Sequence, residues 1–188
     1  MLKIAIIAGS TRPGRKADDV ARWVYDLASK RTDATFEIIS LADVNLPLLD
    51  EAIPPSMHQY EKEHTLRWAE TIAAYDGFIF VTPEYNRSMP GVLKNAIDHA
   101  SRPYGQSAWA GKPAGVLGAS IGTIGTALAQ QHLRNVLVFL NMHTLAQPEV
   151  FLHNKEGLYD AAGKLNAGTE KFLQAWVDTY VAWVKKQA

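Results

Sequence analysis

The chain has 188 residues with 19 basic and 19 acidic side chains, so its net charge near neutral pH is zero and provides no bulk attraction to nucleic acid or to an anionic membrane. It contains no cysteine, which excludes disulfides, thiolate metal sites and a cysteine nucleophile. No apolar run approaches the ~20 residues that a membrane span needs, and the first residues lack a signal-peptide pattern, so we expect a cytoplasmic protein without nucleic-acid or membrane partners.

Short apolar runs predict five strands along the chain. The first is the continuous run Leu2–Ala8, and the others cover residues 36–39, 77–81, 113–118 and 145–152, the last interrupted by Pro148. Apolar residues at helical spacing predict helices in residues 16–28, 66–75, 93–100, 133–140 and 172–184. Because parallel strands need crossover helices, this alternation predicts a doubly wound, three-layer α/β fold.

The number of elements fits a flavodoxin-like, five-stranded parallel sheet of order 2-1-3-4-5. In this order strands one and three are neighbours at the point where the strand order reverses, so the loops that follow them open into the same crevice. We expect residues 1–188 to form a single domain, with its ligand at the carboxyl edge of the sheet.

The loop after the first strand combines glycine, hydroxyls and cations at the start of a helix: Gly9-Ser10-Thr11-Arg12-Pro13-Gly14-Arg15-Lys16. The N–H groups and the dipole of a helix N-terminus favour an anion, so the loop predicts a phosphate site, with a solvated basic turn as the alternative. A P-loop would need a lysine where Arg15 stands and a hydroxyl where Lys16 stands. The dinucleotide fingerprint G-x-G-x-x-G is also absent, which favours the single phosphate of a mononucleotide.

The loop after the third strand is marked by prolines and turn residues that cannot continue a strand. Its segment Pro83, Glu84, Tyr85 and Asn86 offers backbone groups that could bind the edge of a planar heterocycle. A purely structural turn, with Glu84 as a solvated acid and Tyr85 as a packing residue, is the alternative that these residues leave open.

Four segments together resemble the NADPH-dependent FMN reductase family: Gly9-Ser10-Thr11-Arg12, Pro83-Glu84-Tyr85-Asn86, Pro90-Gly91-Val92-Leu93-Lys94-Asn95-Ala96-Ile97-Asp98 and Gly118-Ala119-Ser120. The resemblance covers residues 2–150, about four fifths of the chain. This family has the flavodoxin-like fold and includes chromate, quinone and azo-dye reductases. The resemblance implies FMN as cofactor, NADPH or NADH as reductant, and a small-molecule electron acceptor such as a quinone, a flavin, an azo compound or a metal oxyanion.

The resemblance also implies which residues bind FMN. Those expected at the phosphate are Ser10, Arg12, Arg15, Lys16 and Ala17, those expected at the edge of the ring are Pro83, Glu84, Tyr85 and Asn86, and those expected on its flank are Ser120, Ile121 and Gly122. The flavin carries the redox chemistry, so no side chain is expected to be catalytic. One departure concerns Arg15, which stands where the family often has a serine; it could replace a hydroxyl with a charge-assisted hydrogen bond.

A serine esterase is an alternative, because residues 118–122 match the nucleophile-elbow pattern G-x-S-x-G around Ser120. The acid should precede the histidine in that fold, but Asp160 and Asp178 follow every histidine, and Glu149 lies only four residues before His153. Ser120 is better explained as a hydrogen-bond donor beside a ring.

Three further expectations come from composition. A flavodoxin-type electron carrier is a second alternative, but it should be acidic, which the balanced charge disfavours. The six histidines have no metal-ligand spacing, so we expect no metal site. Five tryptophans are expected in the core or at a subunit interface, and we expect a homodimer or homotetramer.

Overall fold

The computed structural model describes residues 1–187 and contains one parallel sheet with helices on both faces. The strands are β1 (Leu2–Ala8), β2 (Ala34–Ser40), β3 (Gly77–Val81), β4 (Pro113–Ser120), β5 (His143–Thr144) and β6 (Val150–His153). The α-helices are α1 (Lys16–Ala28), α2 (Leu41–Val44), α3 (Glu63–Ala73), α4 (Gly91–Ala100), α5 (Ala127–Phe139) and α6 (Ala167–Gln187), and a 3-10 turn covers Pro55–Met57.

The sheet has the order β2-β1-β3-β4-β5, which confirms the predicted topology. β1 pairs with β2 on one side and with β3 on the other, and Ala8 at the end of β1 is in register with Val81 at the end of β3. The strand order reverses between β1 and β3. The loops that follow these two strands therefore begin side by side.

The last position in the sheet is shared by two short strands, which corrects the predicted single strand over residues 145–152. β5 pairs with the start of β4, and β6 pairs with residues 117–120 at its end. Between them, Pro148 has no N–H for a ladder, and its carbonyl accepts a hydrogen bond from Trp176 Nε1 at 3.0 Å. The chain therefore leaves the sheet after Leu145, whose N–H still reaches the Ala114 carbonyl, and returns at Val150.

The core lies in two layers, one on each face of the sheet. Ile4 and Ile6 of β1 pack in a cluster with residues of α1 and α6. Ala5 and Ile7 of the same strand pack in the other cluster, with residues of α3, α4 and α5. Because side chains of a strand alternate between faces, these clusters give the predicted three-layer arrangement. Within residues 1–187, no helix combines the length and the hydrophobicity that a bilayer crossing requires.

The carboxyl ends of β1, β3 and β4 approach each other through glycine backbone. The Gly9 N–H donates to the Val81 carbonyl at 2.9 Å. A Cβ added at Gly118 would lie only 1.9 Å from the Thr82 carbonyl oxygen, which is backbone and cannot rotate away. The end of β3 is therefore held between its two neighbours at a separation that requires glycine.

We expect Gly118→Ala to lower the free energy of unfolding by about 3 kcal/mol, because the added methyl forces β3 and β4 apart. The matched control is Gly91→Ala, where no atom lies within 4 Å of the added Cβ, and which should be neutral or slightly stabilising. Urea denaturation followed by circular dichroism measures both. Equal stability of the two variants would show that the strand ends tolerate a wider separation.

Candidate functional site

A cleft of ≈ 300 Å³ opens where β1, β3 and β4 end. The residues that line it are Ser10, Arg12, Arg15, Lys16, Pro83, Glu84, Tyr85, Ala119, Ser120, Ile121 and Asn154. The structure thus brings together most of the residues that the sequence nominated from three separate loops. The exceptions are Ala17, Asn86 and Gly122.

A hydrogen bond across the cleft joins the first two loops. Ser10 is fully buried, and its Oγ lies 2.7 Å from the Tyr85 hydroxyl. The same Oγ accepts the Arg12 N–H at 3.3 Å. The loop after β1 and the loop after β3 therefore form the two sides of one site.

The N-terminus of α1 opens towards the first loop without a capping side chain. Arg15 occupies the N-cap position in an extended conformation, and its side chain makes no capping hydrogen bond. The guanidinium instead binds both carboxylate oxygens of Asp18 at 2.9 Å and lies 3.4 Å from Ser40 Oγ. The first-turn N–H groups are therefore available to an anion, but the charge of Arg15 is already compensated.

The other two cations of the loop differ in their surroundings. Lys16 Nζ lies 2.9 Å from Asp19 and 4.8 Å from the centre of the Tyr159 ring. The neighbouring Tyr159 hydroxyl and then the Asp19 carboxylate raise the pKa of Lys16. Arg12 is exposed, and the ion pairs found within residues 1–187 do not include it. Arg12 is thus the cation of this loop with a charge to offer an added anion.

These features fit one phosphate group. A buried hydroxyl, uncapped helix N–H groups and an uncompensated arginine are the donors that a phosphate takes from a protein. The loop provides one such set of donors and lacks the second glycine turn that a pyrophosphate would need. The cleft volume lies at the small end of the range for organic ligands, which suits a mononucleotide.

The loop after β3 forms a tight hairpin at Tyr85 and Ser88, whose backbones exchange hydrogen bonds of 2.9 and 3.0 Å. The two residues at its tip, Asn86 and Arg87, have φ of 50° and 69°, which is typical of a type I′ turn. Asn86 is exposed at this tip and does not line the cleft. Its place beside the ring stays a prediction.

Glu84 caps a helix that lies far along the chain. Its Oε2 accepts the N–H groups of Leu128 and Ala129 in the first turn of α5, each at 3.1 Å. Its Oε1 lies 3.7 Å from Arg87, and only 9% of its side chain is exposed. The alternative of a solvated acid is therefore wrong. Because the cap joins the second loop to α5, which follows the third loop, Glu84 fixes two walls of the cleft relative to each other.

The third wall starts at Ser120, the last residue of β4. Its hydroxyl is directed at the carbonyls of Gly122 and Gly125, and His153 Nε2 lies 3.1 Å from the Ile121 carbonyl, not at the serine. Within residues 1–187, Ser120 has no positive φ and no histidine or carboxylate bonded to its hydroxyl. It therefore lacks both the strained elbow and the base of an esterase nucleophile.

Ala17 and Gly122 place no side chain in the cleft, whereas Asn154 does line it. Ala17 has its side chain in the core, so only its main chain could contact a ligand, and Gly122 is exposed outside the cleft. Asn154 is a lining residue that the sequence did not nominate; its N–H donates to the Ser120 carbonyl at 2.7 Å. It directly follows β6, so the rule that found the other loops would have flagged it had that strand been bounded correctly.

Comparison with known proteins relates the whole chain to flavin reductases. The model of the family NADPH-dependent FMN reductase matches residues 2–157. A 2-hydroxy-1,4-benzoquinone reductase from a Burkholderia species is 42% identical over 185 residues, which cover 98% of this chain and 97% of that protein. A quinone reductase from Pseudomonas putida is 43% identical over 182 residues, with 97% and 94% covered. The solved structure of FerB, a flavoenzyme NAD(P)H:(acceptor) oxidoreductase from Paracoccus denitrificans, aligns with a TM-score of 0.85 at 36% identity, covering 100% of this chain and 99% of that one.

We expect Glu84→Ala to lower the free energy of unfolding by about 1–2 kcal/mol, the usual cost of losing a helix cap. Glu84→Gln should lose less, because an amide oxygen can still accept both N–H groups. Urea denaturation measures the loss, and amide hydrogen exchange at Leu128 and Ala129 locates it. Glu63→Ala, at an exposed acid in the first turn of α3, is the control. If Glu84→Ala matched that control, the cap would contribute no stability.

Proposed function

Because the chain belongs to the NADPH-dependent FMN reductase family, we propose that it holds FMN in the cleft at the ends of β1, β3 and β4 and uses NAD(P)H to reduce a small quinone. Family membership makes it an NAD(P)H-dependent flavin oxidoreductase, which confirms the resemblance found in its motifs. The placement of FMN is supported above all by the 2.7 Å contact of Ser10 with Tyr85, which joins the loop suited to the phosphate and the loop suited to the ring.

The chemistry that bound FMN would supply is the transfer of two electrons from NAD(P)H to an acceptor. The chain binds and orients it. The Ser10 hydroxyl, the first N–H groups of α1 and the Arg12 guanidinium would hold the phosphate. Lys16 would add a second positive charge near the phosphate, which Asp19 partly compensates.

The other end of the cleft would hold the ring between two loops. Pro83 and Tyr85 form one side, and Ser120 and Ile121 form the other. Asn154 adds an amide that can hydrogen-bond a polar group of the cofactor. The buried residues Ser10 and Ala119 form the bottom of the cleft.

A quinone is the acceptor that the site and the relatives favour. Ile121 at the rim is 84% exposed and Tyr85 is 37% exposed, so apolar surface borders the mouth of the cleft. A flat, apolar ring would cover this surface on binding. Relatives at 42% and 43% identity carry the names of quinone reductases.

We also propose that the protein works as a homodimer or homotetramer. Phe139 at the end of α5 is 81% exposed and Tyr104 is 71% exposed, and both line one surface cavity. Exposed aromatic side chains grouped in this way are typical of an association surface.

We expect Arg12→Ala to weaken FMN binding by about 1.5–3 kcal/mol, the scale of a hydrogen bond to a charged group. Arg15→Ala should have a smaller effect, because Asp18 already engages that guanidinium. Titration of the flavin-free protein with FMN, followed by quenching of flavin fluorescence, measures both, and Arg67→Ala on the exposed face of α3 is the control. An unchanged affinity in Arg12→Ala would make this residue a surface charge only.

We expect the reductant and the acceptor to occupy the same open side of the cleft in turn. Steady-state plots for NADPH against a quinone should then be parallel, and each substrate should inhibit competitively against the other at high concentration. Intersecting lines would contradict the shared position. A purified protein that neither releases FMN on denaturation nor takes it up on titration would contradict the proposed function itself.

A further inference from the structure

The segment between β6 and α6, residues 154–166, packs against α1. Leu158 and Leu165 are buried in the same core cluster as α1. The Trp23 indole N–H, on α1, donates to the Gly163 carbonyl at 2.8 Å. We refer to residues 154–166 as the β6–α6 segment.

The segment has its own internal hydrogen bonds, which hold Tyr159 in one place. Asp160 Oδ1 accepts the N–H groups of Ala162 and Lys164, each at 2.9 Å. Tyr159 and Leu165 form an antiparallel bridge. The Tyr159 ring lies 5.5 Å from the Trp23 ring, centre to centre. The tyrosine is therefore supported from both the segment and the helix.

This supported tyrosine contacts a cation of the candidate phosphate site. Lys16 Nζ lies 4.8 Å from the centre of the Tyr159 ring, which is within the range of a cation–π interaction. The same ammonium lies 2.9 Å from Asp19. Lys16 and Asn154, the first residue of the segment, both line the cleft.

We propose that Tyr159 is a positioning residue for FMN, which acts by holding the Lys16 ammonium at the phosphate end of the cleft. Tyr159 lies beyond residue 157, where the match to the family model ends. The proposal rests on the proposed function, because it takes the phosphate of FMN to lie at this end.

The physical reason is preorganisation. A lysine side chain has four rotatable bonds, and a ligand that must order them loses affinity. The aromatic face and the carboxylate restrict the ammonium before the ligand arrives. Asp19 compensates its charge but leaves its remaining N–H donors for a phosphate oxygen. Removal of the ring should therefore weaken FMN binding only when Lys16 is present.

A double-mutant cycle tests this dependence. The dissociation constant of FMN is measured on the flavin-free, full-length protein for the parent, Tyr159→Leu, Lys16→Met and the double variant. We expect Tyr159→Leu to raise the dissociation constant about two- to fivefold, the effect of losing one exposed cation–π contact. In the Lys16→Met background the same substitution should have no effect. Tyr159→Phe removes only the hydroxyl beside Lys16 and keeps the aromatic face, so its affinity should stay close to that of the parent if the ring holds the ammonium; a loss equal to that of Tyr159→Leu would overturn the role of the ring.

Trp23→Phe is the matched control, because it removes the hydrogen bond to Gly163 but keeps an aromatic ring beside Tyr159 and removes no contact with Lys16. Any loss of affinity in Trp23→Phe should persist in the Lys16→Met background. If Tyr159→Leu weakened FMN equally with and without Lys16, or left the affinity unchanged, the positioning role would be overturned. Tyr159→Gln replaces Tyr159→Leu in the cycle if the leucine variant does not fold. A parent protein that binds no FMN would overturn the proposed function instead.

Discussion

The close approach of three strand ends is the constraint on which the site depends. The Thr82 carbonyl lies where a side chain at position 118 would be, and the Val81 carbonyl lies 2.9 Å from a Cβ added at Gly9. Backbone therefore meets backbone where β1, β3 and β4 end. This spacing brings the loops that begin at Gly9 and Thr82 within hydrogen-bond reach of each other, as the contact between Ser10 and Tyr85 demonstrates. Any element that widened it would separate the two halves of the cleft.

The charged side chains around the N-terminus of α1 largely compensate one another within the chain. Three cations, Arg12, Arg15 and Lys16, fall within five residues and would repel each other if left alone. Asp18 and Asp19 pair with Arg15 and Lys16 one helical turn later, where acids are also favoured by the helix dipole. Three positive and two negative groups leave a net charge of +1. The uncapped N–H groups of α1 add a positive partial charge at this end of the cleft.

The sequence predicted the elements that depend on local pattern. The apolar runs Leu2–Ala8 and Gly77–Val81 and the helix Lys16–Ala28 have the predicted bounds, because a buried parallel strand is a continuous apolar run and an amphipathic helix has a strong helical periodicity. The predicted strand over residues 145–152 is wrong in its first part: Pro148 interrupts pairing, β5 ends at Thr144, and of the predicted range only residues 150–152 lie in a strand that pairs with β4. The loops of the site were found from their position after strands. The cap by Glu84 could not be predicted, because its partner is 44 residues away in the chain. Lys16 and Tyr159 are even further apart in the sequence, so their contact could not be predicted either.

Arg15 affects the hydrogen bonding at the N-terminus of α1 more than it affects the net charge there. A serine at this position would be an N-cap, whose hydroxyl accepts the first-turn N–H groups of α1 and so competes with a ligand for them. Arg15 makes no such bond, and its guanidinium reaches Asp18 and Ser40, the last residue of β2. It thereby ties the start of α1 to a neighbouring strand while the helix N–H groups stay available. A hydroxyl is still present at this end of the cleft, because Ser10 directly follows Gly9 after β1 and contacts Tyr85, so Arg15 is compatible with the proposed phosphate site.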